Sequence, residues 1–190
     1  MIDARSDPPS PLDALPLRVF LDTNVVQNLL VFGEYIFDNC LSPDTERKLK
    51  SLPENLRHDI DALVAFLTPV TRTPVKVVIS SLTLEELTDS ERTDLMRWGF
   101  ELFEHSLQNA KDLTALREGS FDQAILSDYL PDVNDRLLLG ESKRAHCQVF
   151  LSMDYRTILR FAVRLRAEGL NVMSPSEYWK LLKPWWGIVA

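Results

Sequence analysis

The sequence predicts an α/β sandwich with a mostly parallel sheet, and three observations carry that expectation. Four short apolar runs, at 17–21, 75–79, 148–151 and 170–173, have the length and side-chain content of strands. The segments between them carry helical apolar spacing, so crossovers must join the strands and leave them parallel. The 190 residues suffice for one sizeable core and are short for two independent ones.

The elements follow in chain order. Residues 1–16 hold three Asp and four Pro and lack the basic-then-apolar layout of a signal peptide, so they read as a surface arm. Leu17 to Leu21 is an apolar strand that stops on Asp22. Val25, Val26, Leu29 and Leu30 then repeat with helical spacing. Residues 34–74 form an elaboration with helical patches at 45–52 and 56–67, closed by Thr68-Pro69 and Thr73-Pro74. The β-branched run 75–79 precedes Ser80-Ser81 and a helix bearing Leu84, Glu86 and Leu87. Residues 90–117 suggest a long amphipathic helix or a helix pair, with Leu95, Trp98, Phe103, Leu107 and Leu116 inward. A short helix is expected within 121–130 and another from near Asp135, before the strand at 148–151. Residues 157–168 read as helix and stop at Gly169, a good residue just past a helix end. After the strand at 170–173, Ser174-Pro175-Ser176-Glu177 opens a last helix, with Pro in the first turn where it is tolerated.

Composition narrows the classes. Hydrophobic residues make up 45% and charged residues 26%, as in an ordinary globular protein, and no apolar run approaches the roughly 20 residues that span a bilayer. A formal charge of -7 argues against broad duplex binding through many cationic contacts. It leaves a nucleic-acid enzyme open, because a carboxylate site is itself negative until cations neutralise it. Cys40 and Cys147 form no CxxC pair and no metal-ligand spacing, which fits reduced thiols in a cytoplasmic protein. His58, His105 and His146 likewise lack the spacing of a zinc site.

Acidic residues at element boundaries carry the chemistry. Strand interiors disfavour Asp, so Asp22 at the end of the first strand is either a helix cap or a site residue. Asp154 follows the third strand, and Glu86 lies early in the helix after the second. Asp135 opens the helix that leads back to the third strand, so a simple crossover places it at the same edge. Parallel sheets collect ligand chemistry beyond their carboxyl ends, where these four acids converge.

Several segments together resemble a known family. Phe20-Leu21-Asp22-Thr23-Asn24, the run from Val78 through Ser80-Ser81 to Glu85-Glu86-Leu87, Asn134-Asp135, and Phe150-Leu151-Ser152-Met153-Asp154 look like the motifs of the PIN domain, in that family's order. The closing stretch 170–177 is similar to its last strand and helix. The resemblance covers 17–182, with 34–74 longer than in compact members, and leaves 183–190 as a Trp-rich tail. Met153 and Tyr155 depart from the more polar neighbours usual beside the last acid.

The resemblance implies a three-layer α/β/α sandwich and a ribonuclease that cuts mainly single-stranded RNA with Mg²⁺ or Mn²⁺ held by Asp22, Glu86, Asp135 and Asp154. Carboxylate oxygens are hard ligands suited to those ions, which activate water and stabilise phosphoryl charge. Crowded carboxylates also repel, so such a site holds a shared proton or takes up cations readily. Thr23 and Asn24 are expected to orient Asp22, and Ser152 to support Asp154. Glu86 is preferred to Glu85 because it takes the family position five residues after Ser81, a further supporting residue. Asp135 is preferred to Asp128 and Asp132, since Gly140 and Ser142 let its helix approach the sheet closely; capping alone could also explain it. Lys143, Arg144, Arg160 and Arg164 are RNA-contacting candidates, with a solvated face as the plainer reading. Trp179, Trp185 and Trp186 could stack on bases, but packing of the tail is favoured.

The family also implies partners other than RNA, namely a second copy in a homodimer or a protein regulator of the antitoxin kind. Two other functions compete. One is a non-catalytic binding module on the same fold. The other is a phosphatase of the haloacid-dehalogenase type, which needs a second Asp where this chain has Asn24.

Overall fold

Strands β1 (Arg18–Leu21), β2 (Lys76–Val78), β3 (Val149–Leu151) and β4 (Val172–Met173) form one sheet of order β2-β1-β3-β4, and every pairing is parallel. The computed structural model describes residues 15–67, 75–88, 126 and 128–189. The helical stretch expected at 90–117 lies outside them, as do most of the arm at 1–16 and of the short helix expected within 121–130.

After β1 come α1 (Thr23–Val31), α2 (Gly33–Asp38), α3 (Pro43–Ser51) and α4 (Glu54–Leu67). After β2 comes α5 (Ser81–Thr88), and α6 (Val133–Arg144) leads into β3. Beyond β3 lie a 3-10 turn (Leu159–Phe161) and α7 (Ala162–Ala167); α8 (Pro175–Leu182), a second 3-10 turn (Lys183–Trp185) and α9 (Trp186–Val189) follow β4.

Successive strand side chains point to opposite faces, and the two faces feed two cores. Val19, Leu21, Val149 and Leu151 pack with α1, α4, α5 and α8. Phe20, Val78, Phe150 and Val172 pack with Leu126, Leu138 and Leu139, and with Leu165 of α7. Phe20 and Phe150 stack with ring centroids 5.4 Å apart, which fixes the facing of the two central strands. Apolar cores on both faces are compatible with a three-layer sandwich and leave the strand ends as the place for polar side chains.

The elaboration belongs to the first core. Ile36 of α2 and Ile60, Leu63 and Phe66 of α4 are buried there beside Tyr178 and Leu182 of α8, and Phe66 meets Tyr178 edge to face at 5.3 Å. The tail packs as favoured: Trp179 and Trp186 stand edge to face at 5.4 Å against the same core. Among the described residues no helix is long and apolar enough to cross a membrane.

Two of the boundaries that differ from the sequence reading have a visible cause. The helix expected over 157–168 becomes α only at Ala162, because the Asp154 carboxylate captures the Arg156 and Thr157 N–H groups and turns the chain first. The fourth strand is confined to Val172–Met173, since Leu170 N–H closes the end of α7 on Leu165 O. Gly169 does sit at that helix end with φ +76, a conformation that glycine adopts without strain. The last helix opens on a full capping box, with Ser174 and Glu177 satisfying each other's backbone N–H.

Candidate active site

The chain leaves β1 for β2 on one side and later returns to β3 on the other. The crevice outside the carboxyl ends of β1 and β3 is therefore the switch point where open parallel sheets bind ligands. Asp22 stands there, 3% exposed, its N–H bonded to Leu151 O at 3.0 Å. Its Oδ1 accepts Thr23 N–H at 2.8 Å and so caps α1. Its Oδ2 accepts the Asn24 side-chain amide at 2.6 Å and the Ser152 hydroxyl at 2.7 Å. Asn24 Oδ1 accepts Met153 N–H at 2.8 Å, so Asn24 ties the two strand ends together. Of the two roles posed by the sequence, the cap is present, and it leaves Oδ2 facing Asn24 and Ser152.

Glu86 reaches the same edge from α5. The Thr23 hydroxyl donates to its Oε2, and the Asn134 amide donates to its Oε1 at 3.0 Å. Glu85 is exposed. Ser81 is exposed as well, while Ser80 accepts Thr83 N–H at 3.2 Å in the manner of a cap.

On α6 the labour divides. Asp132 caps the helix by accepting Asn134 N–H at 2.8 Å, which leaves Asp135 half-buried and facing the other acids. Gly140 and Ser142 are buried, as the close approach of α6 requires. Asp154 accepts Arg156 N–H at 2.8 Å, Thr157 N–H at 2.9 Å and the Thr157 hydroxyl at 2.6 Å. Ser152 does support Asp154, whose N–H it accepts at 3.0 Å, but its proton goes to Asp22.

These surroundings set the charges. Burial pushes Asp22 up to about 7, and nearby Asp135 adds to the rise, against the hydrogen bonds from Ser152, Thr23 and Asn24. Burial also raises Asp135 to about 6, with Asp132, Asp154 and Glu86 repelling its charge and the Thr157 hydroxyl opposing them. Asp154 is half-buried too, but the hydrogen bonds from Thr157 and Arg156, with the Arg156 charge, outweigh burial and hold it below its ordinary value.

The donor set is all oxygen and mutually repelling, which suits a hard divalent cation. It is not a ready cage: among the described residues no three acidic, His or Cys side chains are grouped to hold a metal. The oxygens of Asp22, Glu86 and Asp154 already accept from amides and hydroxyls, with which a cation would share or compete for them. Comparison with protein-family models, with curated proteins and with solved structures returned no match for this chain.

The basic candidates are not all at this edge. Lys143 and Arg144 lie at the far end of α6, about 12 Å along the helix from Asp135. There they bond Glu168 O and Gly140 O. Arg160 lies over the Phe161 ring at 5.6 Å, and Arg164 lies over Tyr129 and Phe161 at 5.9 Å from each. His58 and His146 are exposed; His105 lies outside the described residues.

Sequence reasoning missed Thr157, the bond from Asn134 to Glu86 and the capping role of Asp132. The spacing Asp154-x-x-Thr157 was the available signal for the first, since a capping Asp favours a donor three residues on. Asn134 carries no such mark, because its partner Glu86 is 48 residues away.

Proposed function

We propose that this chain is a metal-dependent ribonuclease of the PIN type, hydrolysing phosphodiester bonds of mainly single-stranded RNA. The observation that carries the reading is Asp22: a carboxylate buried at the switch point, held by Asn24 and Ser152, and pushed up to about 7 by burial and by Asp135. A fold that buries repelling carboxylates stores a demand for positive charge, and a divalent cation meets it.

Asp22, Glu86, Asp135 and Asp154 would hold Mg²⁺ or Mn²⁺. Bound there, the ion supplies a water of lowered pKa and counter-charge for phosphoryl oxygens. The chain's own residues orient and tune. Asn24 and Ser152 aim Asp22, Thr23 and Asn134 hold Glu86, and Thr157 keeps Asp154 ionised. Arg160 and Arg164, with Lys143 and Arg144 farther off, are the cations offered to RNA phosphates. Two apolar cores around an all-parallel sheet support a PIN-like three-layer architecture, and a cytoplasmic setting accords with the RNA substrate.

The test is cleavage of end-labelled single-stranded RNA by the purified chain with Mn²⁺, with EDTA, and after Asp22→Asn. Cutting that needs the metal and falls more than about 100-fold in the variant is expected. A folded protein that cuts nothing with any metal overturns the nuclease. One observation favours the runner-up, a non-catalytic module on this fold: both Glu86 oxygens are already satisfied by Thr23 and Asn134. The phosphatase reading lacks its general acid, because a carboxamide at Asn24 cannot give up a proton as the required Asp would.

A further inference from the structure

We infer that Asp59, supplied by the helical elaboration, is a positioning residue for the proposed site: through the Tyr155 hydroxyl it fixes the turn that carries Asp154. The inference rests on the metal-dependent reading above and gives the elaboration a role in it.

Helix α4 buries Asp59, Ile60, Leu63, Phe66 and Leu67, whose spacing is a single inward stripe. Asp59 is the charged member of that stripe and is 0% exposed. A carboxylate at such a depth is costly unless its oxygens are bonded, and an apolar side chain would pack there without that cost. What it holds accounts for its presence. Oδ2 accepts the Tyr155 hydroxyl at 2.7 Å, and Oδ1 accepts Ser176 N–H at 3.0 Å. Both are neutral donors.

Tyr155 directly follows Asp154. The residue is 38% exposed and belongs to neither core, while its hydroxyl is drawn inward to Asp59, with Asn55 and Ser174 beside it. The turn is thus held at two points. Asp154 gathers the N–H groups of Arg156 and Thr157 from within, and Asp59 anchors Tyr155 from α4. Ser176 lies in the first turn of α8, so one carboxylate joins α4, the Asp154 turn and the start of α8.

Three variants of the full chain separate this role from plain packing. Tyr155→Phe removes the hydroxyl and keeps the ring, and Asp59→Asn keeps the shape and removes the charge. Tyr178→Phe is the control: it deletes another hydroxyl, bonded to Pro16 O at 2.8 Å, in the first core. Amide exchange at Arg156 and Thr157 is followed without metal or RNA, and Mn²⁺ affinity is then measured by paramagnetic titration. Tyr155→Phe and Asp59→Asn should speed exchange at both amides about fivefold or more. They should weaken Mn²⁺ binding about tenfold, as loss of an outer-shell partner does. Tyr178→Phe should lower the melting temperature and move neither readout. Unchanged exchange in both test variants overturns the inference, as does a fall in Mn²⁺ affinity that Tyr178→Phe reproduces. If the wild-type chain binds no Mn²⁺, faster exchange in the test variants still supports the anchor, and the failure belongs to the metal reading.

Discussion

Asp22 and Asp154 close the ends of neighbouring strands, yet their surroundings push them in opposite directions. Asp22 is sunk between two cores, and burial outweighs its donors. Asp154 sits nearer the solvent on a turn whose Thr157 and Arg156 donors favour its charged form. The same residue type just past the ends of adjacent strands, directly after β1 and three residues after β3, therefore has its pKa moved in opposite directions. Depth decides one, local donors the other. Groups with pKa values driven apart in this way favour different forms: the charged form for Asp154 and the protonated form for Asp22.

The largest effect expected from this contrast is on stability against pH. The folded-state pKa of Asp22, about 7, lies above the ordinary 3.8, so the fold prefers its protonated form. Its contribution is complete below about pH 4 and is lost as the pH rises through 7, a loss of about 4 kcal/mol. Asp135, raised to about 6, adds a loss of the same sign that ends earlier. Denaturant midpoints in EDTA should fall across this range. Asp22→Asn should shrink the slope between about pH 4 and 6, abolish the fall above about pH 6 and leave the Asp135 part. Asp154 has the opposite sign, costing stability only as the pH drops through its lowered value. A slope that Asp22→Asn leaves intact would break the contrast.

A smaller effect tests the residue between the two acids. Ser152 donates to Asp22 and accepts from the Asp154 N–H, so Ser152→Ala disturbs both. A loss of about 2 kcal/mol is expected, with the pH-dependent fall moved to higher pH because Asp22 loses a donor that favours its charge. Unfolding curves at several pH values read both changes, and a fall that stays at the same pH would deny the hydroxyl its part in setting Asp22.

The smallest effect sharpens the other side. Thr157→Val should let the Asp154 pKa climb toward its ordinary value at a cost below about 1 kcal/mol, since that carboxyl is partly solvated. Carbon-13 titration of the Asp154 carboxyl reads the shift. No movement would mean that the turn's donors do not set its charge.

The strands, their parallel direction and the acids at their ends were legible because each is written within a few consecutive residues. The short apolar run marked Val19, Phe20 and Leu21 as strand, and the crossover argument brought Asp135 near the other acids. Roles inside the site were less legible. Thr23 does hold Asp22 as expected, but through its N–H, while its hydroxyl goes to Glu86; Ser152 accepts from Asp154 as expected, but its proton goes to Asp22. Either hydroxyl can rotate toward more than one acceptor, and only the placement of distant segments selects the one it meets.

Periodicity and boundary residues in the sequence determined which segments become strands and helices, which faces are apolar and which acids stand at strand ends, because those are local properties of the chain. The tertiary structure decided how deeply each acid is buried, which donor each one meets, and that Asp59 from the elaboration would reach Tyr155 across 96 residues. Burial and hydrogen bonding depend on neighbours brought together by folding, and no spacing along the chain encodes the dielectric around a carboxylate.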